Sequence, residues 1–185
     1  MVSWVHRSDA RGTSVPVLYA SAQIRSRERD YADAMARQMQ IEKVGSLMPF
    51  TCAQVFDMAA DIERYPEFMP WWISVSIVKR QDDTCDVEQV LGRGPVRVRF
   101  ASRAVLQRPQ RIDISSTDPQ FRQLDLVLRV LPHAQAGCSL AITLTLQLQS
   151  AWLQQLVRAL LARTMDEVVA AYQARAHQLY DGQLR

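Results

Sequence analysis

The segment from Ser150 to Tyr180 constrains the fold more than any other part of the sequence. It contains no glycine or proline, and its apolar residues recur three and four positions apart, as on one face of an α-helix. Ser150 is expected to cap this helix with its hydroxyl, and Gly182 follows its end. The apolar face consists of Leu153, Leu156, Val157, Leu160, Leu161, Val168, Val169, Tyr172, Ala176 and Leu179.

Two interpretations of this face stay open. Either the helix packs completely on the rest of the protein, or the helix and its partner surface leave an apolar cavity between them. The periodicity is the same in both cases, so the pattern predicts the helix and leaves the cavity as a hypothesis.

The segments before the helix predict an antiparallel sheet. From Cys138 to Leu148, apolar residues alternate with mostly polar ones, which is typical of a sheet with one face in water. Shorter alternating runs follow residue 72, separated by turn residues, and another strand covers Gln40 to Leu47. The predicted order is a strand, a helix, a meander of six strands and the closing helix. The predicted fold class is therefore α+β, a curved antiparallel sheet wrapped around a long C-terminal helix.

A short helix and an aromatic connection lie between the first strand and the meander. Thr51 and Gln54 predict a capping box at the start of the helix, which is expected to end before Pro66. The connection combines two prolines with large side chains, namely Tyr65, Phe68, Met69, Trp71 and Trp72. A rigid segment of this kind predicts a plug over the core or the mouth of a cavity.

Residues 1–39 are predicted to be a disordered or weakly ordered leader before a domain at 40–182. Arginine alternates there with aspartate and glutamate, and apolar residues are sparse until Val15. The leader lacks the apolar stretch of a secretory signal, and its acidic residues argue against a transit peptide. Organised sequence begins directly after Met35 and Met39, so either methionine is a candidate start of translation.

No catalytic or metal-binding pattern stands out. His133 and His177 have no cysteine or carboxylate at a ligand spacing and are expected to be solvated. The cysteines Cys52, Cys85 and Cys138 are odd in number and lack metal-like spacing, which predicts three reduced thiols. We therefore expect no enzyme activity and no required cofactor.

Arg97, Arg99 and Arg103 predict a cationic row on one face of a strand. The row is either the wet side of the sheet or a contact for phosphates of lipid headgroups or RNA. The net charge of +3 is compatible with both anionic partners. No apolar run is long enough to predict a membrane span.

Five short motifs occur in an order that matches a known family. The most specific is Asp61-Ile-Glu-Arg-Tyr-Pro-Glu-Phe-Met-Pro-Trp, and the others are Phe100-Ala-Ser-Arg, Phe121-Arg-Gln-Leu, Gly137-Cys138, and Arg175-Ala176 with Tyr180. Together they resemble the coenzyme Q-binding and ribosome-association toxin branch of the START-like (polyketide cyclase-like) superfamily, over about Gln40 to Tyr180. The chain departs from the family at Leu128-Arg129-Val130, where two aromatic residues are usual, which predicts an enlarged or reshaped cavity.

The resemblance implies a helix-grip fold whose apolar tunnel holds ubiquinone or another polyprenyl lipid, without chemistry of its own. The implied role is a carrier or chaperone supporting respiration, cytoplasmic or peripheral at the inner membrane, with transient membrane-surface contact and no DNA partner. The residues expected to line the tunnel are Tyr65, Phe68, Trp71, Phe100, Phe121, Leu124, Leu144, Leu156 and Leu160.

Two other functions remain open. The toxin branch of the family implies binding to the large ribosomal subunit or its RNA, which would block subunit association and use the arginine row. An enzyme of the cyclase or aromatase type has the least support, because no acid–base pair is predicted inside the cavity.

Overall fold

The computed structural model describes residues 38–47, 49–94, 96–133 and 137–183. The predicted leader lies outside these residues except for its last two, Gln38 and Met39. Met39 opens the first strand and is only 5% exposed, so this part of the predicted leader belongs to the ordered sheet.

The described chain forms one sheet and three α-helices. The strands are β1 (Met39–Leu47), β2 (Trp72–Gln81), β3 (Thr84–Arg93), β4 (Val96–Gln107), β5 (Arg111–Ser115), β6 (Phe121–Pro132) and β7 (Cys138–Leu148). The helices are α1 (Cys52–Ala60), α2 (Tyr65–Phe68) and α3 (Ala151–Tyr180), with 3₁₀ turns at Ile62–Arg64 and Asp181–Gln183. The predicted order of strand, helix, six-strand meander and closing helix is confirmed.

All neighbouring strands of the sheet are antiparallel, in the order β1-β7-β6-β5-β4-β3-β2. The meander therefore runs from β2 to β7, and β1 adds to its far edge. Alternate residues of each strand point to the side where the helices lie, which we call the inner face. On β7 the inner face carries the buried residues Cys138, Leu140, Ile142, Leu146 and Leu148. The α+β class and the curved sheet around the C-terminal helix are confirmed.

Helix α1 begins as predicted and ends before Pro66, as predicted. The Thr51 hydroxyl accepts a hydrogen bond from the Gln54 backbone N–H, and the Thr51 N–H donates to the Gln54 side chain, so the capping box is confirmed. The helix ends at Ala60, well before Pro66, because a 3₁₀ turn follows Asp61. Pro66 instead occupies the first turn of α2, where its missing N–H leaves no hydrogen bond unmade.

Helix α3 covers Ala151–Tyr180, close to its predicted bounds. Ser150 occupies the N-cap position, but its side chain makes no capping hydrogen bond, so this detail of the prediction was wrong. The helix approaches β1 closely at Gly45, where an added Cβ would lie 2.5 Å from a methyl group of Val169. A glycine is needed here because any side chain would push the helix off the strand.

The prediction of three reduced thiols was wrong. Cys52 at the start of α1 and Cys138 at the start of β7 form a disulfide with a Cα–Cα distance of 5.5 Å. They are 86 residues apart in sequence, and only the packing of α1 over β7 brings them together. Cys85 remains a free thiol and is buried on β3.

Candidate functional site

The buried apolar side chains separate into two clusters. The central core lies between α1, the second half of α3 and the inner face, with Phe50, Phe56 and Tyr172 among its buried members. The second cluster lies beneath the first half of α3 and has Met39, Leu146 and Leu148 at its centre, with Ile41, Phe121, Leu124, Leu144, Leu153, Val157 and Leu161 packed around them. The helices therefore cover the inner face through two separate clusters of apolar side chains.

Several apolar residues of the inner face and α3 lie outside both clusters, next to Phe121 at the edge of the second cluster. Leu91 and Val98 pair across β3 and β4 on the inner face and remain partly exposed. Phe100 follows on β4 and packs edge-to-face on Phe121 of β6, with 5.1 Å between ring centroids. On α3, Leu160 is partly exposed and Leu156 is 39% exposed. We call these six residues the apolar opening, namely Leu91, Val98, Phe100, Phe121, Leu156 and Leu160.

Leu160 lies on the side of α3 that faces away from β1. Val169 lies against β1, and at 100° per residue Leu160 points about 180° away from it. Arg175, which contacts Glu67 of α2 at 2.9 Å, lies within about 60° of Leu160 around the helix. Leu160 therefore lies nearer in angle to the side of α3 that contacts α2 than to the side that packs on β1.

Three polar side chains lie at the inner end of the apolar opening. Gln89 of β3 and Ser102 of β4 occupy the next inner-face positions beyond Leu91 and Phe100, and they are only 5% and 6% exposed. The Trp72 ring N–H donates to the Gln89 side-chain oxygen at 3.1 Å, and the Gln89 amide donates to the Ser102 hydroxyl at 2.8 Å. The sequence prediction missed this chain of polar groups.

Trp71 stands at the rim, where β2 begins beside the turn between β3 and β4. Its backbone carbonyl accepts a hydrogen bond from the Gly92 N–H at 2.8 Å, and the Arg93 guanidinium lies 5.5 Å from its ring centroid. Its φ of 77° is in the left-handed region, which a bulky residue rarely adopts. Such strain is often found at ligand clamps.

Two of the predicted lining residues lie in the central core instead. The Tyr65 hydroxyl donates to the Ala59 carbonyl and shares a hydrogen bond with the Tyr172 hydroxyl, both at 2.6 Å. Burial raises the pKa of both tyrosines, so both stay neutral. Phe68 packs on Tyr65 and Tyr172 and beneath the guanidinium of Arg175. These contacts fix α2 to α3, and we leave both residues out of the proposed site.

The other predicted lining residues belong either to the apolar opening or to the second cluster. Phe100, Phe121, Leu156 and Leu160 belong to the apolar opening. Leu124 and Leu144 pack within the second cluster, beneath α3. The departure from the family at Leu128 and Val130 does not widen this region, because both side chains are buried in the central core.

The arginine row lies on the outer face of the sheet. Arg99 pairs with Glu88 and Arg103 with Asp86 across to β3, at 2.5 and 2.7 Å. The pairing with Asp86 raises the pKa of Arg103 and lowers that of the carboxylate. The row is therefore an exposed, largely paired face of the sheet.

Neither histidine takes part in a metal-like cluster. His133 and His177 are exposed, as predicted, and they contact Ser139 and Asp181 at 2.6 and 2.9 Å. Among the described residues, no group of three or more His, Cys, Asp or Glu side chains could hold a metal ion.

Comparison with known proteins relates most of the chain to one group. A family model described as polyketide cyclase / dehydrase and lipid transport matches residues 48–173. The ribosome association toxin RatA of Pseudomonas aeruginosa is 25% identical over 135 residues, which cover 73% of this chain and 94% of that protein. The mitochondrial coenzyme Q-binding protein COQ10 of Dictyostelium discoideum is 24% identical over 131 residues, which cover 69% and 64%.

A solved structure shares the architecture. The Zhui aromatase/cyclase from Streptomyces sp. R1128 superimposes with a TM-score of 0.68 at 15% sequence identity, over 76% of this chain and 94% of that one. At this identity the likeness concerns the fold alone. The shared architecture is a curved antiparallel sheet with a long C-terminal helix.

Proposed function

Because the chain belongs to the polyketide cyclase / dehydrase and lipid transport family, within the START-like superfamily and alongside RatA and COQ10, we propose that it binds a polyprenyl lipid such as ubiquinone and carries it without chemical change. Membership confirms the resemblance found in the sequence. The observation that carries the proposal is the apolar opening, whose residues, apart from Phe121 at the edge of the second cluster, belong to neither packed cluster.

The free energy gained by burying apolar carbons favours a ligand with a long lipid tail. Burying one five-carbon isoprene unit is worth about 3–4 kcal/mol, at roughly 0.8 kcal/mol per methylene. Two or three units in the opening would hold the lipid against water. A bilayer buries the same carbons equally well, so exchange between protein and membrane would be close to neutral, as a carrier requires.

The polar groups beside the opening favour binding over catalysis. They are the Gln89 amide, the Ser102 hydroxyl and the Trp72 ring N–H, none of which titrates near neutral pH. Acid–base catalysis uses a group whose pKa lies near the working pH. We therefore propose a carrier instead of a cyclase.

The direct test is extraction of the purified protein with organic solvent. We expect the extract to contain a polyprenyl quinone, identified by its ultraviolet absorbance and its mass, in an amount that scales with the protein. A mock purification from cells that lack the protein gives the background. Extracts that match this background, together with failure to take up ubiquinone from vesicles, would refute the proposal.

The proposed contact with a membrane surface involves the first turns of α3. Trp152 is 71% exposed and lies one helical turn before the exposed Leu156, which borders the opening. The sequence from 126 to 165 contains no aspartate or glutamate, and the first turns of α3 carry the exposed cation Arg158. An exposed Trp on a helix surface that carries a cation and no acidic residue is typical of a helix that lies on an anionic bilayer. In the part of the chain that the structure describes, no helix has the length and apolar character needed to cross a membrane.

Trp152→Ser is expected to weaken binding to vesicles containing anionic lipid by about tenfold or more, since burying a large apolar side chain is worth about 1.5–3 kcal/mol. Its high exposure predicts a stability change within about 0.5 kcal/mol. Vesicle sedimentation measures the first effect and urea unfolding the second. Val78→Ser is the matched control, because Val78 is 62% exposed on β2 and is expected to leave vesicle binding intact. Equal losses in both variants would argue against this contact.

Similarity to ribosome association toxins supports a second candidate, binding to the large ribosomal subunit. The arginine row would supply the cationic surface, although Arg99 and Arg103 already pair with carboxylates. Sedimentation with purified large subunits at increasing salt tests this candidate. Salt-sensitive binding that is lost in Arg97→Glu would favour it over the carrier.

A further inference from the structure

The chain of polar groups at the inner end of the apolar opening has a fixed direction of donation. A tryptophan ring N–H is only a donor, so the Trp72 contact at 3.1 Å identifies the side-chain oxygen of Gln89 as the acceptor. The Gln89 amide nitrogen then donates to Ser102 at 2.8 Å. The Ser102 oxygen is therefore used as an acceptor.

The hydroxyl hydrogen of Ser102 is left for another partner. A serine hydroxyl has one hydrogen to donate, and among the described residues no hydrogen bond from this hydroxyl is formed. Ser102 is 6% exposed, so an unused donor there is unfavourable unless something within the opening accepts the hydrogen. Trp72 fixes the orientation of the Gln89 amide, and that amide holds the Ser102 oxygen as an acceptor.

The surroundings select the chemical class of the acceptor. Next to Ser102 on the inner face lie the fully buried Val87 of β3 and, toward the opening, Phe100. No described ion pair involves Ser102, Gln89 or Trp72. A neutral donor in apolar surroundings suits a neutral oxygen, because an anion buried without a paired cation is strongly disfavoured.

We propose that Ser102 donates a hydrogen bond to a carbonyl oxygen of the bound lipid, with Gln89 and Trp72 as its positioning residues. The inference rests on the proposed lipid binding and specifies its polar end. The ligand is then a lipid with a neutral carbonyl headgroup at the inner end and its apolar tail toward Leu156 and Leu160. Purely hydrocarbon lipids and fatty-acid carboxylates fit this arrangement less well.

Two probes with the same tail test the carbonyl directly. One is a decyl-substituted 1,4-benzoquinone and the other is decylbenzene, which lacks both carbonyl groups. We expect the wild-type protein to bind the quinone about tenfold more tightly, the scale of one hydrogen bond. Ser102→Ala is expected to abolish this preference while keeping the affinity for decylbenzene. Ser102→Thr keeps the hydroxyl and should preserve the preference for the quinone.

Gln89→Met tests the positioning role, since it keeps the volume but removes the amide that donates to the Ser102 oxygen. We expect an intermediate preference for the quinone and unchanged decylbenzene binding, which also verifies that the variant is folded. Equal affinity of the wild-type protein for the two probes would overturn this inference but not lipid binding. A quinone preference that persists in Ser102→Ala would do the same. Failure to bind either probe would overturn both proposals.

Discussion

Reduction of the Cys52–Cys138 disulfide is expected to lower the free energy of unfolding by about 2–4 kcal/mol. The disulfide links residues 86 apart, so it restricts a large part of the unfolded chain. It also ties the start of α1 to β7, next to the central core. Urea unfolding with and without a reducing agent measures the difference, and thiol titration of the denatured protein should find one free thiol before reduction and three after it.

A double variant, Cys52→Ala with Cys138→Ala, supplies the control. It should unfold near the midpoint of the reduced wild-type protein and should not respond to the reducing agent. Replacement of the free Cys85 by alanine should leave the response to reduction intact. Three free thiols before reduction, or identical unfolding midpoints in both conditions, would contradict the disulfide.

Local signals in the sequence were enough to predict most of the fold. The capping box at Thr51 and Gln54 forms within a few residues, so its pattern predicts the contact directly. The alternation in β7 and the apolar periodicity of α3 likewise report which side of each element meets the core. These features depend on the spacing along one element and not on its partners.

Contacts between distant elements could not be predicted in the same way. Nothing in the spacing of three cysteines distinguishes the pair Cys52 and Cys138 from the others, because the pairing follows from how α1 packs on β7. The sequence placed the end of α1 before Pro66 but did not predict the 3₁₀ turn that follows it. The 3₁₀ turn buries Ile62 and lets Tyr65 reach Tyr172 of α3, a contact 107 residues away.

The candidate site was predicted only in part for the same reason. Aromatic residues near the prolines all looked alike in sequence, but Tyr65 and Phe68 join the central core while Trp71 reaches the rim. The sequence did contain a signal for the polar group at Gln89, and the sequence analysis missed it. It falls on the apolar side of the alternation in β3, between the inward-facing Val87 and Leu91. A polar residue at such a position needs a buried partner, which is a reason to look for a site.

The second large effect concerns the apolar opening itself. Leu160→Trp is expected to reduce bound lipid by about a hundredfold or more, because the added ring occupies the place of about one isoprene unit, worth about 3–4 kcal/mol. Stability should change by less than about 1 kcal/mol, since Leu160 is partly exposed and belongs to neither packed cluster. Uptake of ubiquinone from vesicles and urea unfolding measure the two quantities on the same preparation.

The neighbouring leucine gives the matched control. Leu161 packs in the second cluster against the sheet, so Leu161→Trp should overpack it and lower the free energy of unfolding by about 1–3 kcal/mol. The carrier proposal requires the two variants to differ in this way, with lipid lost at one position and stability lost at the other. If Leu160→Trp is as destabilised as Leu161→Trp and the wild-type protein yields no lipid, the space is filled by side chains. The arginine row at Arg97, Arg99 and Arg103 then becomes the first surface to test for function.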